Sequence, residues 1–315
     1  MLKLGLIGAG RWGRNYIKTL AALDRVRLTR VASRNPETRG LVPDHTRIDD
    51  DWRALIAAGD LDGVIIATPP ATHAAIARAA LAAGLPVLIE KPLTLDLREA
   101  QELRDLVRTR GVFAMVDHTH LFHPAFEELQ RRLPELGALR AIRTHAGNHG
   151  PYRRDTPVLW DWGAHDVAMC IAVAGAPPQH THAVREAQQP MEGALAETLR
   201  LELGFSDGLA ADIRLSNMTG KVRRFAVYGA RGALLYDDLA PHKLTLHPSL
   251  APDADLIAAD GAAIAVSPEP PLQRAVTAFA AAIVNRRRDW RDFDRAVEVV
   301  AVLERCARDL SAADR

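Results

Sequence analysis

Residues 2-LKLGLIGAGRWGRNYIKTLAAL-23 decide the fold that this sequence predicts. Residues 2–8 form a mostly apolar run that is typical of a buried strand, and the residues from position 10 onward have helical spacing. One stripe of that helix would carry Trp12, Tyr16, Leu20 and Leu23. The glycines between the two elements therefore lie at a strand-to-helix turn.

The loop 8-GAGRWG-13 has the spacing G-x-G-x-x-G, which binds dinucleotides where a strand precedes it and a helix follows. Gly8 allows a tight turn, Gly10 lets a pyrophosphate approach the backbone, and Gly13 lets helix and strand pack closely. The helix N-terminus adds amide donors and the positive end of its dipole. A plain strand-to-helix turn is the alternative. We predict cofactor contacts at Gly8, Gly10, Arg11, Trp12 and Gly13.

The same alternation of strand and helix continues to about residue 118. Apolar runs end at glycine, proline or acidic positions, and the segments between them have helical patterns closed by glycines. The predicted strands are 26–33, 62–68, 87–89 and 112–116, and the predicted helices are 51–59, 71–84 and 96–111. This order predicts an α/β fold, a doubly wound parallel sheet covered on both faces. We expect an NAD(P)-binding Rossmann domain over residues 1–118.

The pattern changes near residues 117–120, so we predict a second domain over residues 119–315. Turn signals separate a series of runs that are typical of an antiparallel sheet. The expected strands are 138–147, 194–205, 208–216, 222–229, 232–236 and 242–247. Helices are expected at 123–133, within 147–175 and twice after residue 270, whereas residues 248–270 are expected to be loop. The second domain is therefore of the α+β type.

The overall composition narrows the class of protein. The chain has 315 residues, 40 basic and 39 acidic side chains and a formal charge of +1, so no long-range field favours nucleic acid or an anionic membrane. Two cysteines are too few for a disulfide framework. No apolar run reaches the length of a transmembrane helix and no leader pattern is present, so we expect a cytoplasmic protein.

The end of the second strand bears on the choice of cofactor. A cofactor without a 2′-phosphate usually meets a carboxylate about 20 residues past the glycines. Here Ser33 and Arg34 follow the strand, and no carboxylate appears before Glu37. A hydroxyl and a guanidinium suit a 2′-phosphate. We therefore expect NADP(H), with NAD(H) still possible; a solvated Arg34, or one stacked on the adenine, is the alternative.

Lys91 has an unusual position in 86-PVLIEKP-92. It lies at the carboxyl end of a predicted buried strand, where open α/β sheets bind their ligands. The alternatives are a lysine whose charged end reaches solvent, or a hinge charge in an ion pair. The bond to Pro92 is a candidate for a cis peptide, because such bonds nearly always precede proline.

The segment 160-WDWGAHD-166 is the second candidate for chemistry. Asp161 and His165 are four residues apart and would share one face of a helix. Histidine changes charge near neutral pH, so His165 can transfer a proton. The alternatives are a helix N-cap for Asp161 and a satisfied core histidine for His165. Asp166 is a candidate for orienting a histidine.

Further polar residues stand near these segments. His73 opens a predicted helix and is either a surface histidine or a cofactor contact. Tyr152, Arg153 and Arg154 precede the Asp161–His165 pair, where arginines either hold an anionic substrate or stay solvated.

Three histidines lie at the domain boundary, in 117-DHTHLFH-123. Their spacing lacks a matching set of acid or cysteine ligands, so no metal site is expected. We include His118, together with Trp162 from the later segment, among the predicted substrate contacts.

Four stretches together resemble the Gfo/Idh/MocA oxidoreductase family. They are 8-GAGRWG-13, 67-ATPPATH-73, 90-EKPLT-94 and 161-DWGAH-165, and they occur in the expected order. The resemblance implies a Rossmann domain followed by a domain built on a large, open, mostly antiparallel sheet. It also implies a homodimer or homotetramer. The missing acid after the second strand departs from the family's pattern for NAD.

The resemblance also assigns roles. Lys91, Asp161 and His165 would line the reacting centre, and Thr68, Pro69, His73, Glu90 and Lys91 would contact the cofactor. The implied activity is hydride transfer between nicotinamide and a secondary alcohol or ketone of a sugar, nucleotide sugar or cyclitol. The segment 147–166 is similar to members that act on nucleotide-linked sugars. A sensor or regulator that kept the fold but lost the reaction is the alternative.

Overall fold

A computed structural model of the chain describes residues 1–153, 156–191, 194–248 and 261–313. The chain forms two compact units. Unit 1 comprises Met1–Thr119 and Pro270–Val300, and unit 2 comprises His120–Glu269 and Ala301–Arg315. The division into domains at residues 118 and 119 stays a prediction.

Unit 1 contains a six-stranded parallel sheet in the order β3-β2-β1-β4-β5-β6. The strands are β1 (Leu2–Ile7), β2 (Val26–Ala32), β3 (Arg47–Asp49), β4 (Gly63–Ile66), β5 (Val87–Glu90) and β6 (Ala114–Asp117). The strand order reverses between β1 and β4, which is the point where such sheets bind ligands. The predicted doubly wound sheet is confirmed.

Five helices of unit 1 pack around this sheet. They are α1 (Arg11–Ala21), α2 (Trp52–Ala57), α3 (His73–Ala82), α4 (Leu97–Arg110) and α8 (Pro271–Val284). The local sequence explains their ends, because Asp51 and Asp96 accept hydrogen bonds from the backbone at the starts of α2 and α4. Gly111 closes α4 in the left-handed conformation at φ 64°.

Helix α8 completes the core of unit 1 although it is distant in sequence. It packs against α1, and its Phe279 ring lies 6.3 Å from the ring of Phe113, measured between centroids. A Cβ added to Gly63 would stand 2.9 Å from Ile283 Cδ1 and 3.2 Å from Phe279 Cζ, so α8 fits closely over β4.

Unit 2 contains an eight-stranded sheet in the order β14-β13-β12-β11-β7-β10-β9-β8. Its strands are β7 (Leu139–Gly147), β8 (His180–Met191), β9 (Ala194–Gly204), β10 (Ala210–Ser216), β11 (Val222–Gly229), β12 (Gly232–Asp237), β13 (Leu244–His247) and β14 (Ala262–Ala263). All neighbouring strands are antiparallel except β7 and β10, which run parallel. The predicted mostly antiparallel sheet is confirmed.

Helices α5 (Pro124–Arg132), α6 (Val158–Asp161) and α7 (Gly163–Ala174) pack on this sheet. Helix α9 (Arg291–Ala313) ends the described chain. Strand β9 buries alternate side chains at Leu199, Leu201 and Leu203. The other face carries ion pairs between neighbouring strands, including Arg200–Asp212 at 2.7 Å. No helix of the described ranges is long and apolar enough to cross a membrane.

The sequence did not predict strand β8, one of the longest in the sheet. Only Ala183 is fully buried along its 12 residues, so the strand lacks the apolar alternation that identifies strands. Short strands β3 and β14 were also missed, and β14 corrects the expectation that residues 248–270 are all loop. Residues 249–260 of that segment lie outside the described ranges.

Candidate active site

The glycine loop has the shape that a dinucleotide requires. Gly8 has φ 98°, and a Cβ on it would stand 2.5 Å from the Ala67 carbonyl oxygen. A Cβ on Gly13 would stand 2.0 Å from the carbonyl oxygen of Gly8, so α1 and β1 need glycine there to pack. A Cβ on Gly10 would meet no atom within 4 Å. The first and third glycines are thus required by packing, whereas the second borders open space.

The N-terminus of α1 borders that space. Its N-cap residue is Gly10, and no side chain caps the first amide groups of the helix. Exposed Arg11 and half-buried Trp12 stand in the first helical turn. Amide donors at a helix N-terminus bind phosphate oxygens. The loop and helix therefore fit a pyrophosphate.

Ser33, Arg34 and Glu37 follow β2 and differ in their hydrogen bonds and ion pairs. Ser33 Oγ lies 2.8 Å from Thr38 Oγ1 and accepts the backbone N–H of Asn35 at 3.2 Å. Glu37, the first carboxylate after the strand, is paired with Arg14 at 2.8 Å. Arg34 is exposed and has no hydrogen-bond or ion-pair partner among the described residues. The Arg34 guanidinium is thus unpaired among the described residues, whereas the Glu37 carboxylate already forms an ion pair with Arg14.

His73 is a buried structural link at the start of α3. Its exposed fraction is 0%, so the surface alternative is wrong. Its Nδ1 lies 2.9 Å from the Pro92 carbonyl oxygen and its Nε2 lies 2.8 Å from the Thr68 carbonyl oxygen. Burial lowers the pKa of His73, while those carbonyls act in the opposite direction. The ring joins the loop of Thr68 and exposed Pro69 to the segment that carries Lys91.

Lys91 directly follows β5 and is only 8% exposed. Its bond to Pro92 is cis, as predicted. The side chain is therefore no solvated lysine at a strand end, and that alternative is wrong. A buried lysine at the carboxyl end of a central strand stands where ligands of such sheets bind.

A buried acid cluster adjoins Lys91. Glu90 and Asp117 are register partners on β5 and β6, and the Tyr16 hydroxyl donates a hydrogen bond to Asp117 Oδ2 at 2.5 Å. Thr119 donates to the other Asp117 oxygen at 3.0 Å. Burial, with Asp117 adding to it, raises the pKa of Glu90 to about 8. Burial also raises the pKa of Asp117 to about 6. The two carboxyls disfavour a double negative charge, so the pair retains a proton near neutral pH.

His118 stands next to this cluster and is 2% exposed. Neither ring nitrogen has a hydrogen-bond partner in the described part of the chain. Burial, with smaller contributions from the positive charges of Arg295 and Lys91, lowers the pKa of His118 to about 3. The ring is thus neutral and retains one donor and one acceptor, which suits contact with a bound molecule.

We predicted that Asp161 and His165 share one helix, but the structure places them on two consecutive helices. Asp161 ends α6, α7 begins at Gly163, and Trp162 stands between the two helices at φ −102°. Trp162 is the N-cap residue of α7 and makes no side-chain cap, so Asp161 is not the N-cap. His165 is partly exposed in the first turn of α7, whereas Trp162 is 9% exposed.

The loop before α6 contains the remaining predicted substrate contacts. Arg153 Nε lies 3.7 Å from Asp161 Oδ2, so these two residues form an ion pair. Tyr152 is 37% exposed. Arg154 lies outside the described residues.

A cleft in unit 2 brings His165 together with residues that were not predicted. His120 Nδ1 lies 3.0 Å from the Tyr236 hydroxyl, and the His120 and His165 rings meet edge to face at 4.9 Å between centroids. The Arg223 guanidinium stacks on the Trp162 ring with its carbon 4.6 Å from the centroid. The enclosed part of the cleft has a volume of only about 20 Å³, room for a single water molecule.

Asp166 lies in the same cleft, buried at 3% exposure. Burial raises its pKa to about 6, while Thr144 and Arg223 act in the opposite direction. No hydrogen bond or ion pair joins it to a histidine among the described residues, so the structure does not support the interpretation that it orients one. His123 instead caps α5 and lies 3.4 Å from Asp238. No set of three His, Cys, Asp or Glu side chains in the described ranges is arranged to hold a metal ion.

Two parts of the chain match known protein families. Residues 2–118 match an oxidoreductase family with an NAD-binding Rossmann fold, and residues 132–235 match the GFO/IDH/MocA C-terminal domain. A solved protein structure from Magnetospirillum magnetotacticum MS-1 is 47% identical, with a TM-score of 0.93 over 97% of this chain and 99% of that chain.

Two further relatives have specified activities. UDP-N-acetylglucosamine 3-dehydrogenase from Acidithiobacillus ferrooxidans is 32% identical over 184 residues, which span only 58% of this chain and 58% of the relative. A solved structure of that dehydrogenase is 25% identical, with a TM-score of 0.84 over 99% of this chain and 98% of that chain. Inositol 2-dehydrogenase from Rhizobium meliloti is 26% identical over 76% of this chain and 77% of the relative. By its two matched domains, this chain belongs to the Gfo/Idh/MocA oxidoreductase family.

Proposed function

We propose that this protein transfers a hydride between a nicotinamide cofactor and a secondary alcohol or ketone carbon of a sugar, nucleotide sugar or cyclitol. One observation carries the proposal: Lys91 is buried at the carboxyl end of β5, in the sheet whose β1 leads into the glycine loop. The relatives that act on UDP-N-acetylglucosamine and inositol support the substrate class.

The bound nicotinamide would supply the hydride chemistry, and the protein would supply position and charge. In the oxidative direction, His165 would accept the proton of the substrate hydroxyl. Lys91 would stabilise negative charge on the substrate oxygen and relay the proton. Asp161, which is paired with Arg153, would position the sugar or His165.

We also propose that the cofactor is NADP(H). Exposed Arg34 has no protein partner in the described ranges, and Ser33 presents a hydroxyl beside it. Glu37, the carboxylate that follows in sequence, is already paired with Arg14. An arginine binds a 2′-phosphate with parallel hydrogen bonds, whereas a ribose hydroxyl prefers a carboxylate. The homodimer or homotetramer implied by the resemblance stays a prediction.

A hydride-transfer screen tests this function. Purified protein is incubated with NADP⁺ or NAD⁺ and a panel of sugars, nucleotide sugars and cyclitols, and reduced cofactor is followed by absorbance. We expect turnover with at least one class of substrate. Lys91→Ala should lower kcat by about 100-fold or more while cofactor affinity changes little. The control is Lys18→Ala, which removes an exposed lysine from α1.

Two outcomes would contradict the proposal. Tight cofactor binding without turnover of any substrate would favour the regulator alternative. Normal turnover in the Lys91→Ala variant would remove Lys91 from the mechanism, since no other residue is proposed to stabilise charge on the substrate oxygen.

A further inference from the structure

Arg223 is one of the residues that line the cleft of unit 2. It belongs to β11, where its register partner is Ala146 of β7, and its guanidinium stacks on Trp162. Cation–π stacking of this kind holds the planar group against the ring. Arg224, the next residue, pairs instead with Asp237 at 2.8 Å.

The hydrogen bonds of Arg223 use only one of its nitrogens. Nη1 donates to the carbonyl oxygens of Gly147 at 3.2 Å and Val222 at 2.9 Å. A guanidinium has five N–H donors. The donors on Nε and Nη2 therefore have no acceptor among the described residues. These two nitrogens form one edge of the guanidinium, the edge that binds an oxyanion with two parallel hydrogen bonds.

The positive charge of Arg223 is also without an ion-pair partner in the described ranges. Asp166 is the carboxyl that shares the cleft, but no ion pair within 4.0 Å joins it to Arg223. The partners of Nη1 are neutral carbonyl groups. Arg223 is thus fixed at one end, stacked on its face and unpaired along one edge.

We propose that the Nε–Nη2 edge of Arg223 binds an anionic group of the substrate, so that the enzyme acts on an acidic sugar rather than a neutral one. This inference rests on the proposed function. The anionic group is an oxyanion, either the carboxylate of a sugar acid or a phosphate of a sugar phosphate or nucleotide sugar. His165 lines the same cleft, so recognition of the anion and transfer of the proton belong to one bound molecule.

Matched substrates test the proposal. Each neutral sugar of the panel is assayed beside its 6-carboxylate, its 1-phosphate and its nucleotide-diphosphate derivative, with the intact protein and saturating cofactor. We expect kcat/KM for one anionic form to exceed that of the neutral sugar by about 10- to 100-fold, the effect of hydrogen bonds to a charged group. The carboxylate and phosphate arms separate the two sources of charge. Added salt should reduce the preference.

Substitutions of Arg223 test whether this residue causes the preference for the anionic substrate. Arg223→Gln should abolish it by raising KM for the anionic substrate about 10- to 100-fold, with little change for the neutral sugar. Arg223→Lys keeps the charge but loses the two parallel donors, so it should have an intermediate KM. Arg214→Gln is the control, because that arginine is half exposed and paired with Glu186 at 3.0 Å. Thermal unfolding of each variant checks that it is folded.

Different results would overturn the proposed function and the proposed role of Arg223. Absence of hydride transfer to all substrates, charged or neutral, would overturn the proposed function. Turnover with equal kcat/KM for neutral and anionic forms would overturn the role of Arg223 alone. So would an anion preference that survives Arg223→Gln but is lost in Arg153→Gln, because the anion would then bind in the loop before α6.

Discussion

The Tyr16 hydroxyl donates a hydrogen bond to Asp117 Oδ2 at 2.5 Å, and both residues are fully buried. This bond ties α1, the helix that follows the glycine loop, to the end of β6. Because Glu90 is the register partner of Asp117, the same cluster adjoins Lys91. The elements that carry the cofactor loop and the proposed catalytic lysine are thus held together by a phenol and two carboxyls.

Tyr16→Phe should destabilise the protein by about 1–3 kcal/mol, because it leaves a buried carboxyl without one hydrogen bond. The measurement is urea unfolding at pH 7. Tyr228→Phe is the matched control, since Tyr228 is equally buried but its hydroxyl has no hydrogen-bond partner among the described residues. That control should cost little. Equal losses in both variants would mean that the Tyr16–Asp117 bond contributes nothing.

The pH dependence of stability should reveal the proton held by Glu90. Its pKa of about 8 lies above the ordinary value of 4.5, so the folded protein binds more protons than the unfolded chain between these values. The stabilising contribution of Glu90 is therefore fully present below pH 4.5 and is lost as the pH rises through 8.

Glu90→Gln keeps this site neutral at every pH. We expect its unfolding free energy, relative to the unsubstituted protein, to rise by about 1 kcal/mol or more between pH 6 and pH 9. Glu102→Gln, at an exposed carboxyl of α4, is the control. A Glu90→Gln difference that stays constant with pH would show that Glu90 is ionised in the folded protein throughout.

The glycine loop offers a paired test of packing against binding. Gly10→Ala should fold normally, because Gly10 has φ −71° and a Cβ there meets no atom within 4 Å. Its methyl group would occupy the space proposed for the pyrophosphate, so we expect cofactor Kd to rise at least tenfold. Gly13→Ala should instead lower the unfolding temperature, since its Cβ would stand 2.0 Å from the Gly8 oxygen. Unchanged cofactor affinity in Gly10→Ala would contradict the loop's role.

Cofactor choice depends on Arg34 in our proposal. Arg34→Gln should raise KM for NADP⁺ about tenfold or more while KM for NAD⁺ changes little, because only the former loses charge-assisted hydrogen bonds. The measurement is initial rates with both cofactors. Arg27→Gln removes an exposed arginine from β2 and is the control. An equal rise in KM for NADP⁺ and NAD⁺ would indicate that Arg34 contacts a group that both cofactors contain, not the 2′-phosphate.

The sequence was informative where local patterns are strong. The glycine loop predicted β1 and α1 because glycines at this spacing are needed where the backbones of a strand and the following helix pack closely. Strand β8 was missed because an edge strand with one buried side chain has no apolar alternation. The helix break at Trp162 was missed because Asp161 and His165 have the spacing of one unbroken helix.

Parts of the candidate site could not be predicted because they depend on pairing between distant segments. Tyr16 and Asp117 are 101 positions apart, and no local sequence pattern around either residue predicts their hydrogen bond. Arg223 was missed for a similar reason. Two consecutive arginines in β11 look alike in the sequence, and only strand register turns one toward Trp162 and the other toward Asp237.

The discontinuity of unit 1 has a consequence for how the protein is made. Its first 119 residues leave the ribosome early, but α8 belongs to the segment Pro270–Val300. At about 5–20 residues per second, synthesis of the intervening chain takes on the order of ten seconds or more. Throughout that delay, Phe113 and Gly63 lack the side chains of α8 that cover them. The nascent Rossmann half therefore exposes apolar surface while unit 2 is still being translated.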